Sequence, residues 1–204
     1  MGKVITSGIV PQLEAPEIKL PDGYTKLVYI EFTGTQYVNT VFQANQNTRL
    51  KMKFAYLGGA VVFGAYNAGG NGGFALQAVD GKWLTYYGNS VGASTATISV
   101  GAETTVDMNR NILTVDGTVA RTATENTFSG DYPILLSCIY DGRNGAGYFT
   151  SLKVFDCQIY DNDILVRNYV PCVSPNGEIG LYDVVTKQFY GNAGTGTIIG
   201  SEVA

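Results

Sequence analysis

An alternation of apolar and polar residues recurs in short segments along the whole chain and constrains its fold more than any other feature. The clearest of these segments spans residues 49–56. Its apolar side chains alternate with basic ones: Leu50, Met52, Phe54 and Tyr56 with Arg49, Lys51 and Lys53. A period of two places the apolar side chains on one face of a β-strand and the charged ones on the other. About a dozen such segments, with none of helical period, predict an all-β protein built as a two-sheet antiparallel sandwich.

Turn signals separate these segments. Asp80-Gly81 and Asp116-Gly117 each lie between extended stretches, and Asp-Gly favours the type I′ hairpin turn because both residues tolerate positive φ. Asp161-Asn162-Asp163 is predicted to form another turn, and Thr186-Lys187 to close a further hairpin. The spacing of these turns predicts short strands joined mainly by tight connections.

The C-terminal part of the chain is also predicted to be extended. Phe155, Cys157 and Ile159 alternate with polar residues, which predicts a half-buried strand with all three on one face. The apolar run from Leu165 to Val170 is expected to end at Pro171, because proline donates no ladder hydrogen bond.

Length and composition predict one domain preceded by an arm. The 204 residues are 45% hydrophobic and 15% charged, as in folded globular proteins, and sandwiches of this size are commonly single domains. Residues 1–22 contain three prolines, which favours an extended N-terminal arm before a domain at residues 23–204. The arm is either a flexible tail or an anchor for a neighbouring subunit. Neither a signal-peptide core nor a membrane span is expected, so no membrane partner is predicted.

The residue inventory excludes several function classes. Thirteen basic and 17 acidic residues give a formal charge of −4, and no basic run is present, so nucleic acid is not expected as a partner. The chain has no histidine. This excludes histidine-dependent triads and acid–base catalysis, and it argues against transition-metal sites.

Two groups of motifs carry a resemblance to a known family. They are Leu20-Pro-Asp-Gly-Tyr-Thr-Lys-Leu-Val-Tyr-Ile-Glu31 with Thr33-Gly-Thr-Gln-Tyr37, and, within residues 157–197, Val170-Pro-Cys172, Gly180-Leu-Tyr-Asp183 and Phe189-Tyr-Gly-Asn-Ala-Gly-Thr-Gly-Thr197. Together they resemble concanavalin A-like, laminin G-like jelly-roll domains of phages and prophages from Gram-positive gut bacteria. The resemblance covers nearly the whole chain after the first twenty or so residues and implies a jelly-roll sandwich. It implies no single activity, since this fold carries lectins, glycosidases and structural modules.

Five polar or reactive side chains are predicted to be structural. Cys138, Cys157 and Cys172 are odd in number and lie in or beside apolar runs, which favours buried thiols; a Cys157–Cys172 bridge is the alternative. Arg167 and Asp183 fall within the family-like motifs, and we expect them to pair or to cap backbone groups at the sandwich edge.

Catalysis is not expected. The glycosidases of this fold need two carboxylates that flank the scissile bond, and in jelly-roll glucanases these follow a Glu-x-Asp-x-x-Glu pattern that this chain lacks. The closest acidic pair, Asp161 and Asp163, lies in a predicted turn, where aspartate is common. The chain is therefore predicted to be a non-enzyme with no catalytic residues and no cofactor.

Sugar binding is the expected activity, because lectin-like sites combine aromatic rings with amides and carboxylates that bind hydroxyls. The first candidate cluster contains Trp83, Tyr86, Tyr87 and Asn89, flanked by Tyr66, Asn67 and Asn71. Strand parity places Trp83 and Tyr87 on one face and Tyr86 on the other. The alternative is that Trp83 belongs to the core, as a lone tryptophan in a sandwich often does.

A second candidate site lies in the loop of Asp141, Arg143 and Asn144, which brings together a carboxylate, a guanidinium and an amide. A plain turn is the alternative interpretation of this loop. Calcium is considered because laminin G-like domains bind it through loop carboxylates and carbonyls. The candidate donors are Asp131, Asp141, Asp161 and Asp163. The chain has no dense acidic loop, so no ligand set is assigned.

Together these expectations predict that the protein is a non-catalytic virion component of a phage or prophage and that it is extracellular after lysis. In this hypothesis the particle displays the domain as a homo-oligomer or in many copies, and the arm contacts other virion proteins. The loops then bind host-surface or mucus carbohydrate with avidity. One alternative is a capsid-decoration or tail/baseplate subunit that uses its loops for protein contacts. A second alternative is a divergent glycosidase.

Overall fold

The computed structural model describes residues 18–67, 72–142 and 144–204. Most of the predicted N-terminal arm, residues 1–17, therefore lies outside the described residues. The strands, numbered in chain order, are β1 (Thr25–Lys26), β2 (Ile30–Phe32), β3 (Val38–Asn45), β4 (Thr48–Gly59), β5 (Val61–Tyr66), β6 (Gly73–Val79), β7 (Lys82–Gly88), β8 (Ser90–Thr97), β9 (Glu103–Asn109), β10 (Ile112–Val115), β11 (Thr118–Thr122), β12 (Ser129–Leu136), β13 (Ile139–Asp141), β14 (Gly145–Gly147), β15 (Thr150–Asp161), β16 (Ile164–Val173), β17 (Ile179–Asp183), β18 (Gln188–Tyr190) and β19 (Ile199–Gly200).

These strands form two sheets. The first, of 11 strands, has the order β11-β10-β9-β4-β15-β16-β17-β18, with β1, β2 and β19 paired beside this path. The second, of 8 strands, has the order β14-β13-β5-β6-β7-β8, and β12 pairs with both β3 and β5. Within the described residues the β5–β13 pair is parallel and the other strand pairs are antiparallel. The prediction of an all-β, two-sheet antiparallel sandwich is confirmed. No helix of the described ranges has the length and apolarity needed to cross a membrane.

The main core lies between the two sheets. Leu50, Met52 and Phe54 of β4 are fully buried, as the alternation predicts, while the basic residues between them remain partly exposed. The indole of Trp83 meets Phe54 and Tyr56 edge-to-face, with ring centroids 5.6 Å apart in both pairs. Aromatic rings packed in this geometry bury a large apolar area between the sheets.

The predicted hairpin turns are confirmed by their backbone geometry. Asp80 and Gly81 have φ of 48° and 73°, and Asp116 and Gly117 have φ of 46° and 80°. Positive φ at both central residues is the mark of the type I′ turn, whose twist matches that of the flanking strands. These turns fix the registers of the β6–β7 and β10–β11 pairs.

The prediction for Phe155 is wrong because of a bulge. Val154 and Asp156 pair with consecutive residues of β4, so Phe155 is an extra residue between them. A bulge of this kind shifts the inside–outside alternation by one position. Val154 and Cys157 consequently both face the core and are fully buried, whereas Phe155 packs on the other side against Tyr29, with ring centroids 5.5 Å apart.

Pro171 lies within β16 and does not end it, which corrects the second prediction for this region. Its carbonyl accepts a hydrogen bond from the Leu27 N–H at 2.9 Å. Because the nitrogen and carbonyl of one strand residue point to the same side, the proline nitrogen faces the two-residue strand β1 rather than β17. The ladder between β16 and β17 therefore loses no hydrogen bond at Pro171.

The three cysteines are free and buried, which confirms the buried-thiol interpretation over the alternative bridge. Burial raises the pKa of Cys138 to about 12 and that of Cys172 to about 11. Burial also raises the pKa of Cys157 strongly. Thiols with pKa values so far above neutral carry little thiolate and are poor nucleophiles.

Asp183 is fully buried and structural, as predicted. Its carboxylate accepts hydrogen bonds from the backbone N–H groups of Asn168 at 2.8 Å and Val185 at 3.0 Å, and from the Thr186 hydroxyl at 2.6 Å. The Arg167 guanidinium lies 3.6 Å away. These bonds tie the β17–β18 turn to β16 and offset the cost of burying the charge.

Candidate functional site

Strand β7 divides the aromatic residues of the first candidate cluster between its two faces. Trp83 and Tyr87 point into the core, while Tyr86 points away from it on the outer face of the second sheet. This is the division that strand parity predicts. The candidate cluster is therefore not one site.

The prediction that Trp83 and Tyr87 bind sugar is corrected by their burial. Trp83 is 1% exposed and Tyr87 4% exposed. The Tyr87 hydroxyl donates to the Gln46 carbonyl at 2.7 Å, and its ring packs edge-on against Phe128. Stacking on a sugar needs an accessible ring face, and neither residue offers one. Both are core residues, which for Trp83 is the alternative interpretation given above.

The outer face of the second sheet carries a groove with an apolar floor, here called the outer groove. Val61, Ala75 and Ile139 form a small buried cluster on this face, and Tyr66 and Tyr86 pack against it. The groove encloses ≈ 210 Å³. It is lined by Val61, Tyr66, Gln77, Tyr86, Ile139 and Tyr148. None of these six side chains carries a formal charge.

Tyr66 and Tyr86 form the aromatic centre of the groove. Their ring centroids are 5.9 Å apart, and the ring planes differ by only 18°. Gly73 of β6 lies between the two strands that carry them: a Cβ at this position would lie 3.2 Å from the Cβ of Tyr86 and 3.3 Å from that of Tyr66. Gly64 has a similar role in the floor, since a Cβ there would collide with the Ala75 methyl. Glycine at these positions keeps the groove open and lets the two rings lie nearly parallel.

Polar groups border the aromatic pair. The Tyr86 hydroxyl donates to the Gln77 carboxamide oxygen at 3.1 Å, which leaves the Gln77 amide nitrogen as a donor. Burial raises the pKa of Tyr86, and the nearby Tyr148 raises it further, so this hydroxyl is neutral and able to donate at physiological pH. Tyr148 is 56% exposed. The groove thus offers aromatic faces beside neutral hydrogen-bonding groups.

Asn67 and Asn89, the described loop residues of the first candidate cluster, are not among the residues that line the groove. The Asn67 amide donates to the Ser129 carbonyl at 3.2 Å, and its oxygen accepts from the Asp131 N–H at 2.7 Å. Both ends of the Asn67 side chain are therefore used to hold its loop against β12. Asn89 is exposed in the β7–β8 turn. Asn71 lies outside the described residues.

The loop of the second candidate site forms a turn closed between Asp141 and Asn144. The Asn144 backbone N–H donates to the Asp141 carbonyl at 3.0 Å, and its amide donates to the Asp141 carboxylate at 3.3 Å. Asp141 is mostly buried and pairs with Tyr66 across the parallel β5–β13 ladder. Arg143 lies outside the described residues.

The acidic residues considered for calcium are dispersed. Asp161 accepts from the Asn45 amide at 3.1 Å, and Asp163 forms an ion pair with Arg110 at 2.7 Å. In the described part of the chain, no group of three or more Cys, Asp or Glu side chains is placed to hold a metal ion.

Tyr148 and Gln77 are groove residues that the sequence analysis missed. Gln77 could have been predicted from the sequence, because it lies two residues after Ala75 in β6 and therefore on the same, outer face of the sheet. Tyr148 has no such signal, because it comes to the groove through the parallel pairing of β13 with β5 and the short strand β14 that follows. A non-local pairing of this kind leaves no mark in the neighbouring sequence.

The chain matches no protein-family model, and the comparison with curated proteins finds no significant match.

Proposed function

We propose that this protein is a non-catalytic carbohydrate-binding module and that the outer groove is its sugar site. One observation carries the proposal: Tyr66 and Tyr86 lie nearly parallel on an apolar floor, with neutral polar groups beside them. The apolar C–H face of a pyranose packs on such rings, while its hydroxyls pair with amide and phenol groups.

The size of the groove supports binding of a single sugar unit within a glycan. Its ≈ 210 Å³ is below the roughly 300 Å³ at which drug-sized pockets begin, so most of a longer glycan would lie over open surface. Such a site binds weakly on its own, and several copies held together raise the overall affinity through avidity.

The composition of the groove supports binding without catalysis. Glycoside hydrolysis needs two carboxyl groups on either side of the scissile bond, and the six described side chains that line the groove are aliphatic, phenolic or amide. Asp141 is the carboxylate next to Tyr66 in the ladder, and its partner in the turn is Asn144.

We propose further that the sandwich is of the concanavalin A-like jelly-roll type and that a phage particle carries it through the N-terminal arm. The support for this part is the motif resemblance at residues 20–37 and 157–197 together with the all-β architecture. Mass spectrometry of purified virions tests the location. Particles that lack the protein would contradict the virion assignment and leave the sugar site unaffected.

The sugar site is tested with a glycan array followed by calorimetry on the best-binding oligosaccharide. Tyr86→Ala is expected to weaken binding about tenfold or more, because it removes a stacking face and the hydroxyl next to Gln77. The control is Tyr29→Ala. Tyr29 is also a half-buried tyrosine in an aromatic pair, but it lies beside strand β15 of the other sheet. Equal losses for both variants, or no glycan bound by the wild type, would contradict the proposal.

A further inference from the structure

A second cavity lies at the end of the sandwich where the β3–β4 and β9–β10 turns meet the segment between β11 and β12; here it is called the end pocket. It encloses ≈ 370 Å³. Its lining includes Gln46, Asn47, Arg110, Glu125, Asn126 and Thr127. In contrast to the outer groove, this pocket is bordered mainly by amides and charged groups.

The backbone around the end pocket is fixed by hydrogen bonds. The Gln46 N–H donates to the Phe128 carbonyl at 3.3 Å, and the Arg110 N–H donates to the Thr48 carbonyl at 2.9 Å. The Asn111 amide donates to the Ala123 carbonyl at 2.9 Å. The pocket is therefore held in shape by the turns and does not require a ligand to form it.

Five of the lining side chains have no hydrogen-bond partner in the described part of the fold. Gln46, Asn47, Glu125, Asn126 and Thr127 make no side-chain hydrogen bond to another residue of the described ranges. Gln46, Asn47 and Asn126 are partly exposed, and Glu125 and Thr127 are exposed. The pocket thus presents three amides, a hydroxyl and a carboxylate to whatever enters it.

Asn126 is also held in place by packing. Its side chain lies directly over Gly88, where a Cβ would come within 2.7 Å of the Asn126 Cγ. Gly88 has φ of 56°, a conformation that side chains with a Cβ rarely adopt. The fold therefore provides a site into which the Asn126 amide fits, and this limits the rotamer entropy that it would lose on binding a ligand.

The charges around the pocket are unequal. Arg110 forms an ion pair with Asp163, with 2.7 Å between the guanidinium and the carboxylate. Glu125 forms no ion pair with any described residue. The pKa of the buried Tyr87 hydroxyl is raised mainly by burial and next by the Glu125 charge, while Arg110 lowers it. Arg110 and Glu125 thus contribute one charge of each sign to the lining, and Asp163, the ion-pair partner of Arg110, adds a second negative charge beside it.

We propose that the end pocket binds a hydroxyl-rich ligand that carries a protonated amine, of the amino-sugar class. The amides of Gln46, Asn47 and Asn126 match sugar hydroxyls as donors and acceptors, and the Glu125 carboxylate matches the ammonium group. This ligand class differs from that of the outer groove, whose six described lining side chains carry no formal charge. The proposal does not depend on the function assigned to the groove.

The test is an NMR titration of the ¹⁵N-labelled protein with D-glucosamine, D-glucose and N-acetyl-D-glucosamine at about pH 6, where an amine carries its proton. D-glucosamine is expected to shift the side-chain amide signals of Asn47 and Asn126 and to bind about three- to fivefold more tightly than the two neutral sugars. An oligomer of β-linked glucosamine, run in parallel, distinguishes a free sugar from the end of a glycan.

Two variants and a control complete the design. Glu125→Gln is expected to remove the preference for the amine and to leave glucose binding unchanged, whereas Asn126→Ala weakens binding of all three sugars. Glu178→Gln, at another exposed glutamate, is expected to leave the ligand-induced shifts of the Asn47 and Asn126 amides unchanged. Absence of shifts with glucosamine, equal binding of the three sugars, or a preference that survives Glu125→Gln would each overturn the proposal.

Discussion

Strand β7 places two aromatic clusters back to back, and they differ in almost every physical respect. On its inner face Trp83 meets Phe54 and Tyr56 edge-to-face between the sheets. On its outer face Tyr86 lies nearly parallel to Tyr66, and both side chains are partly exposed. The inner cluster removes a large apolar area from water, while the outer one remains half-buried and retains polar neighbours.

The difference shows that residues adjacent in sequence can have separate environments on the two faces of one strand. Tyr86 and Tyr87 are consecutive, yet Tyr87 is held in the core by its bond to the Gln46 carbonyl, whereas Tyr86 is bonded to a surface glutamine. Because β-strand geometry sends consecutive side chains to opposite faces, a change on one face leaves the other largely intact.

The largest expected effect is on the inner face. Trp83→Ala is expected to lower the free energy of unfolding by about 3–5 kcal/mol, because it removes a fully buried ring and leaves a cavity. Urea unfolding followed by circular dichroism measures the change. Tyr86→Ala, on the outer face of the same strand, should cost about 1 kcal/mol. Similar losses for the two variants would contradict the division.

A smaller contrast is expected from removing single hydroxyls. Tyr87→Phe leaves the Gln46 carbonyl without its donor and should destabilise the fold by about 1 kcal/mol. Tyr86→Phe breaks a bond at a half-exposed position, where water replaces the donor, so its cost should be about 0.5 kcal/mol or less. The same unfolding assay compares the pair. A larger loss for Tyr86→Phe would show that the outer cluster also stabilises the fold.

Gly73→Ala tests the shape of the groove with little change in its chemistry. The added methyl would meet the Cβ atoms of both tyrosines at 3.2–3.3 Å, so the rings must move apart. We expect a loss of about 0.5–1 kcal/mol in stability and a several-fold loss of glycan affinity, measured by calorimetry. Unchanged affinity would mean that the spacing of the rings is not used in binding.

The smallest expected effect is the change in the stability of the fold with pH, as long as the pH stays below about 9. The folded-state pKa values of Cys138 and Cys172 are raised by burial to about 12 and about 11, above the ordinary value of the unfolded chain. The stability that they contribute is fully present below that ordinary value and is lost as pH rises through the folded-state values. A thiol reagent at about pH 8 should label no cysteine in the native protein and all three cysteines in urea. Labelling of the native protein would reveal local opening of the core.

The parts of the structure that follow local rules were predictable from the sequence. The alternation in β4, the Asp-Gly turns and the opposite parities of Tyr86 and Tyr87 all depend on strand geometry and on φ preferences. Trp83 shows the limit of this reasoning: parity indicated which residues share its face, but only the packing of the two sheets decides which face is buried.

The unpredicted features depend on contacts between distant segments. The bulge at Phe155 appears only when β15 is aligned with β4. Tyr148 reaches the outer groove through the parallel β5–β13 pair, and the Asn67 side chain is used by β12 of the same sheet. The end pocket likewise combines three segments that are far apart in sequence. A surface site assembled in this way needs the fold before its residues can be named.

An NMR titration with the best-binding oligosaccharide from the array is the decisive measurement, observed at the aromatic side chains of the wild-type protein. Ligand-dependent shifts are expected at Tyr66, Tyr86 and Tyr148, with the indole signal of Trp83 unchanged. That pattern would place the sugar on the outer face of the second sheet and separate recognition from the core. Shifts confined to other surfaces, with the Tyr66–Tyr86 pair unaffected, would contradict the assignment of the outer groove as the sugar site.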